Sequence, residues 1–217
     1  MASKGSYALG TDGTDFKHRQ RVVSTHMASA DAKYYLKLTF YLHLILYIII
    51  VLKLSEDLLD RADIFILELQ ELEIPKPDLW EWLYGLSFFG NLLALRAMRT
   101  NSARLINLYH IATWLLSLTP LLLAQTAYFP DFVTFLQERD TEKVRYVWRQ
   151  LPIAVIFQAF ALVALQVHLM QVFYAYRLYK IWSAYLLNRS QTQQQPQSTN
   201  SANSAQGSNS FGSKKIN

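Results

Sequence analysis

Apolar side chains in this chain run in long blocks without the alternation of an amphipathic strand, and charged side chains fall between the blocks. The fifteen residues from Leu38 to Leu52, between Lys37 and Lys53, carry no charge. As a helix they reach about 22 Å, short of a hydrocarbon core of about 30 Å. A helix over 34–54, with both lysines snorkelling outward, closes the gap. The run Trp82–Leu95 predicts a second helix over 79–97, with an interfacial first turn. Longer gaps, Leu105 to Pro130 and Gln150 to Tyr176, predict helices over 105–129 and 151–176. The expected architecture is an all-α polytopic membrane protein with four transmembrane helices. Residues 1–33 form an N-terminal segment, 34–182 the membrane domain and 183–217 a tail.

Aromatic residues sit at the ends of these runs, where amphipathic rings prefer headgroup depth. Tyr34 and Tyr35 open the first span, and Trp80, Trp82 and Tyr84 the second. Tyr128 and Phe129 close the third; Tyr146 and Trp148 precede the fourth, which ends in Tyr174, Tyr176, Tyr179 and Trp182. Pro120 lies inside the third span and is expected to kink it.

Between the first two spans, Leu58, Ala62, Phe65, Leu69 and Leu72 recur at helical spacing among acidic residues. With Ser55 as cap and Pro75 and Pro77 as stop, this predicts an amphipathic helix in the first loop. The third loop, with Phe132, Phe135, Leu136, Val144, Val147 and Trp148, offers a second such element. Residues 190–213 are mostly Gln, Ser, Asn and Thr, too polar to offset their ordering entropy, and are expected to be disordered.

Composition changes the picture in two ways. The chain is 52% hydrophobic and 17% charged, against about 25% charged in soluble domains, which disfavours a soluble enzyme. Its lack of cysteine excludes a disulfide scaffold, a thiolate metal site, a cysteine nucleophile and palmitoylation. The net charge of +5 resolves into 14 basic and 3 acidic residues in the two termini and second loop, against 7 and 13 in the first and third loops. By the positive-inside rule both termini are cytosolic. The first 33 residues are polar, so the first span is expected to serve as its own signal anchor. The short first two spans suit a thin bilayer such as that of the endoplasmic reticulum.

Candidate chemistry is sparse. The chain ends Lys214-Lys215-Ile216-Asn217. Two lysines at the fourth and third positions from a carboxylate match the dilysine retrieval signal, read by the COPI coat through acidic pockets. The sequon at Asn188 lies in the expected cytosolic tail and predicts no glycan. In the last span Ala154, Ala161, Ala164, His168 and Ala175 form a seam of small residues for close helix contact, whereas Gln158, Gln166, His168 and Gln171 ring the helix instead of lining a path. His43, His110 and His168 each stand alone on a helix without a metal-binding partner, and interhelical hydrogen bonding is the expected role. The basic cluster around Lys17, His18, Arg19 and Arg21 offers a contact for headgroups or a cytosolic partner. No nucleic-acid module, catalytic constellation or cofactor site is expected.

The stretch Gly10-Thr11-Asp12-Gly13-Thr14-Asp15-Phe16-Lys17-His18-Arg19-Gln20-Arg21-Val22 closely resembles the opening of the Jagunal family. So does Leu165-Gln166-Val167-His168-Leu169 in the last span, followed by tyrosines and Trp182. The order of elements agrees from about Gly10 to Trp182; the acidic first loop and polar tail depart from it. The resemblance implies a four-span protein of the endoplasmic-reticulum membrane with cytosolic termini. It also implies a part in reticulum organisation, vesicular traffic and secretion, links to COPI, and no catalytic residues. The expected protein is therefore non-enzymatic, recycled through Lys214 and Lys215, with Asp15, Phe16, Lys17, His18, Arg19 and Arg21 as a candidate cytosolic contact. The rival readings are a small transporter or membrane-embedded enzyme, favoured by a polar cavity around the three histidines, and a lumenal cargo receptor using the first loop.

Overall fold

The computed structural model describes residues 16–141 and 144–207, with the side chains of 17, 18 and 188–207 excluded. Asp15, Lys214 and Lys215, and the side chains of Lys17 and His18, lie outside the described residues. Helix α1 is Phe16–Arg61, longer at both ends than its apolar run. At about 1.5 Å per residue such a helix is more than twice as long as a hydrocarbon core is thick. Among the described residues three helical stretches are long and apolar enough to cross a membrane: Arg19–Arg61, Ala103–Glu138 and Ile153–Leu187.

The region expected as the second span is two shorter helices, α3 (Leu79–Ser87) and α4 (Gly90–Thr100), separated at Phe88 and Phe89. The break falls where Phe88 stacks on Tyr47 of α1 at 4.4 Å. Asn101, in the left-handed conformation at φ 49°, ends α4. Ser102 then caps α5 (Ala103–Thr113), accepting from the Leu105 amide at 3.4 Å. Asparagine tolerates that φ and serine caps well, so a two-residue turn reverses the chain.

Pro120 takes the place expected, but the helix adapts ahead of it. A π-helical turn, Trp114–Leu118, separates α5 from α6 (Thr119–Glu138). Both the backbone amide and the hydroxyl of Thr119 donate to the Trp114 carbonyl, the hydroxyl at 2.9 Å. The wider turn accommodates a residue that lacks an N–H and crowds the carbonyl of the preceding turn.

The first loop corrects the sequence expectation. Ser55 does not cap a new helix; its hydroxyl donates to the Leu52 carbonyl at 2.7 Å inside α1. Helix α1 ends instead at Arg61 and is closed by Asp63, φ 54°, where the Ile64 amide reaches the Leu59 carbonyl and the Asp63 amide that of Asp60. That paired closure satisfies carbonyls left over at the helix end. Only four residues, α2 (Leu67–Gln70), are helical after it. The spacing from Leu58 to Leu72 held helical periodicity across a backbone reversal that periodicity alone does not register.

The third loop differs too. Helix α6 absorbs Phe132, Phe135 and Leu136, and Val147–Trp148 (β1) pairs antiparallel with Leu151–Pro152 (β2). Arg149 and Gln150 turn this hairpin with φ of 44° and 70°, the sense that matches strand twist. Helix α7, Ile153–Gly207, follows directly. Its backbone stays helical through residues 190–207, part of the stretch 190–213 where composition predicts disorder. Extending an existing helix adds one hydrogen bond per residue fixed and avoids nucleation.

Three apolar clusters hold the bundle. Leu36, Ala97, Met98, Ile106, Tyr109, Ala175, Leu178 and Trp182 form one near the termini. Leu46, Ile50, Leu54, Tyr84, Leu121 and Ala164 form the middle, and Ala124, Tyr128, Ala154, Phe157 and Ala161 the far end.

Candidate functional site

Between the apolar clusters lies a buried polar one, built from four elements. Helix α1 supplies Thr39 and His43, α3 Tyr84 and Ser87, α4 Asn91, and α7 His168 and Gln171; all seven are buried. The rings of His43 and His168 meet edge-on at 4.7 Å. Their tautomers follow from the neighbours, since amide nitrogens donate and amide oxygens accept. Asn91 Nδ2 lies 3.1 Å and Gln171 Nε2 3.4 Å from His43 Nδ1, so that nitrogen accepts. His43 Nε2 then carries the hydrogen and faces Ser87 Oγ at 3.2 Å. Gln171 Oε1 is 2.8 Å from His168 Nδ1, which therefore donates. His168 Nε2 is left to accept from the Tyr84 hydroxyl at 2.8 Å. Tyr109, from α5, donates to Asn91 Oδ1 at 3.4 Å and closes the chain. Every ring nitrogen is paired with both imidazoles neutral, the arrangement that a dry interior demands.

Gln171 links the two histidines through its amide, which neither gains nor loses a proton. The chain of bonds ties helices together but makes no continuous proton relay between His168 and His43. His110 stands apart: its ring is 6.2 Å from Tyr176 and faces the Val172 backbone of α7. The residues described contain no group of three or more metal-ligating side chains.

A second polar feature lies where α1 nears its end. Lys53 does not snorkel outward, as the sequence pattern predicts. It donates to Oε1 of Glu81, a fully buried residue on the first turn of α3. A carboxylate withdrawn from water needs such a counter-charge. Glu81 Oε2 finds no partner of hydrogen-bonding geometry, though the Asp78 amide faces the carboxylate. The buried Trp80 indole faces the Tyr128 hydroxyl, which itself donates to Asp78. A cavity of about 320 Å³ opens beside these groups. Two loops converge there: Trp148 Nε1 donates to the Leu72 carbonyl at 2.9 Å and Arg149 to that of Glu71 at 2.7 Å.

The residues singled out from sequence distribute as follows. Ala154, Ala161, Ala164, His168 and Ala175 of α7 are all buried; Ala154 and Ala161 pack with Tyr128 of α6, Ala164 with the middle cluster and Ala175 against the cluster of Leu36 and Tyr109. Gln158 accepts from Gln125 at 2.9 Å, and Gln166 is exposed on the outer face. Phe16, Arg19 and Arg21 lie exposed on the first turns of α1. Sequence reasoning placed His43 and His168 on separate seams; the structure brings them into contact. It missed the Lys53–Glu81 pair, whose only sequence signal was an acid at the rim of a span.

The comparisons with known proteins agree with one another. A family model described as "Jagunal, ER re-organisation during oogenesis" matches residues 1–185. The chain is 38% identical over 189 residues to "Protein jagunal" of Drosophila melanogaster, covering 85% of this chain and 96% of that protein. It is 31% identical over 183 residues to "Protein jagunal homolog 1" of Homo sapiens, covering 84% and 94%. A nematode relative, "Protein jagunal homolog" of Caenorhabditis elegans, is 27% identical over 187 residues, or 84% and 97%.

Proposed function

The chain belongs to the Jagunal family, and from that premise we propose that it is a multi-pass protein of the endoplasmic-reticulum membrane. Its role is non-catalytic: it supports reticulum organisation and, through that, early secretory traffic. The observation that carries this reading is the family match over residues 1–185, whose description names reorganisation of that membrane. The three helices of membrane-crossing length support it.

Four crossings complete the topology, with α3 and α4 together as the second. Residues 79–100 span about 33 Å if counted as continuous helix, and the tight Asn101–Ser102 turn delivers the chain directly into α5. Four crossings leave both termini cytosolic, on the side that the basic residues favour. There Lys214 and Lys215 serve as a retrieval signal read by COPI, and the segment from Asp15 through Phe16, Lys17, His18, Arg19 and Arg21 is a cytosolic contact. The buried polar cluster is structural: paired throughout and interrupted by the Gln171 amide, it offers a transported ion no open path.

Two measurements test this reading. Depleting the protein should disturb reticulum morphology, restored by the wild-type chain; an undisturbed reticulum sinks the organising role. The double substitution Lys214→Ser, Lys215→Ser should move a substantial share of the protein to post-reticulum compartments and abolish capture by coat protein. Unchanged location together with unchanged capture would reject the retrieval signal and leave the organising role standing.

A further inference from the structure

At one end of the bundle four helices bring basic side chains together. Lys33 of α1 donates to Asn101 Oδ1 in the turn between α4 and α5. Its ammonium also lies over the Trp182 ring of α7, 5.4 Å from the centroid. Around that meeting point stand Lys37 on α1, Arg96 and Arg99 on α4, Arg104 on α5, and Arg177 and Lys180 on α7, all exposed. No more than five residues separate each from Lys33, Asn101 or Trp182, about 8 Å of helix rise. Within that reach Asp31 is the only acid. Among the described residues none of these six basic side chains forms an ion pair with a carboxylate.

Like charges gathered in this way repel one another, and the repulsion opposes the compact state unless counter-charge arrives from outside. The neighbours of the basic residues indicate where it comes from. Tyr34, Tyr35 and Tyr176 are exposed at the same level, and amphipathic rings prefer headgroup depth. A turn or two further in, Leu38, Leu92, Leu108 and Phe173 are exposed as well, the surface that helices of membrane-crossing length turn to acyl chains. A soluble acidic protein would match the charges but not the aromatic and apolar collar beneath them. An anionic lipid matches all three in order: charge, interface and hydrocarbon. A choline headgroup carries its own cation and has no net charge to offer. We propose that this end of the bundle gathers anionic phospholipids, with headgroups held by Arg96, Arg99, Arg104, Arg177 and Lys180 and chains lying on the adjoining apolar helix faces. Because the basic residues are spread over several helices, the lipids form a selective shell and need no single pocket. The proposal rests on the membrane reading but not on retrieval or reticulum organisation.

The test reconstitutes the full chain in phosphatidylcholine vesicles with trace phosphatidylserine or phosphatidylcholine, each spin-labelled on an acyl chain. The motionally restricted part of the spectrum measures lipid in contact with the protein. Phosphatidylserine is expected to be favoured there by about two- to fivefold at low salt, as roughly one basic residue per headgroup implies, and less as salt is added. The combined variant Arg96→Gln, Arg99→Gln, Arg104→Gln, Arg177→Gln, Lys180→Gln should bring the two lipids to parity. Lys76→Gln with Arg145→Gln removes basic residues from the first and third loops instead and should leave the preference intact. Equal association of both lipids with the wild-type chain overturns the proposal and leaves an acidic protein as the counterpart. Full preference in the combined variant, or an equal loss in the loop variant, overturns it too. Should the combined variant fail to elute as a monodisperse protein, Arg177→Gln with Lys180→Gln decides the matter: the preference should fall, and an unchanged one rejects the shell. Restriction of the phosphatidylcholine probe shows separately that the helices face lipid; with neither probe restricted, the membrane reading itself fails and the shell with it.

Discussion

Inside a bundle an imidazole must satisfy both ring nitrogens at once, and His168 does so with Tyr84 on one side and Gln171 on the other. Removing it strands two polar groups that have no water to turn to. His168→Leu should therefore cost about 1–3 kcal/mol, more than Tyr84→Phe, which deletes the hydroxyl along with its need for a partner. The double variant should be less damaged than the two single effects added together. Coupling on the order of 0.6–1.7 kcal/mol is expected from interhelical hydrogen bonds in membranes. Unfolding of the purified protein in mixed detergent measures all three variants. A coupling of zero would mean that Tyr84 and His168 do not depend on one another, and the polar cluster would lose its role as a tie between α3 and α7.

At the level of elements, the contact of α3 with α1 depends on how closely two helices approach. Gly85 is buried there, and a methyl group at its position would meet Ile50 and Leu54 at 3.8 Å, ordinary contact distance. Glycine in a helix interior is weaker than alanine by about 0.5–1 kcal/mol, so Gly85→Ala should be neutral or stabilising in the same unfolding experiment. Gly85→Phe should destabilise by about 1–3 kcal/mol through overpacking. If both are tolerated alike, α3 does not pack against α1 as described. The hairpin is a different kind of element. Its turn places two non-glycine residues at positive φ, and its Trp148 and Arg149 side chains bind carbonyls of the first loop. Those bonds join loops more than seventy residues apart in the chain.

The whole molecule poses a question of parity. Among the described residues three helices qualify as spans by length and composition, and the α3–α4 pair decides whether the termini share a side. Since the chain contains no cysteine, single introduced cysteines report location directly. Thr11→Cys and Ser198→Cys should both react with an impermeant maleimide in cells whose plasma membrane alone is permeabilised. Thr141→Cys should react only after the reticulum membrane is opened as well. Termini labelled from opposite sides would mean that α3–α4 enters the bilayer and returns, and a cytosolic retrieval signal at one end would then leave the basic N-terminal segment in the lumen.

Much of the architecture is local and was therefore legible in the chain. Charge-free runs demand burial away from water wherever they fall, so the first, third and fourth expected spans follow from one-dimensional pattern. Helix ends proved less legible. The acidic first loop shows helical spacing throughout, yet α1 closes at Asp63, because competing end structures differ by a few hydrogen bonds that periodicity does not record. The polar clusters were beyond reach. His43 meets Asn91 48 residues away, and Gln171 reaches the Thr39 carbonyl across 132; Lys53 finds Glu81 only because α3 folds back on α1. Hydrophobic burial is a property of each segment and is written into it. The pairing of buried donors and acceptors is a property of two segments in one register, and only packing in three dimensions decides it.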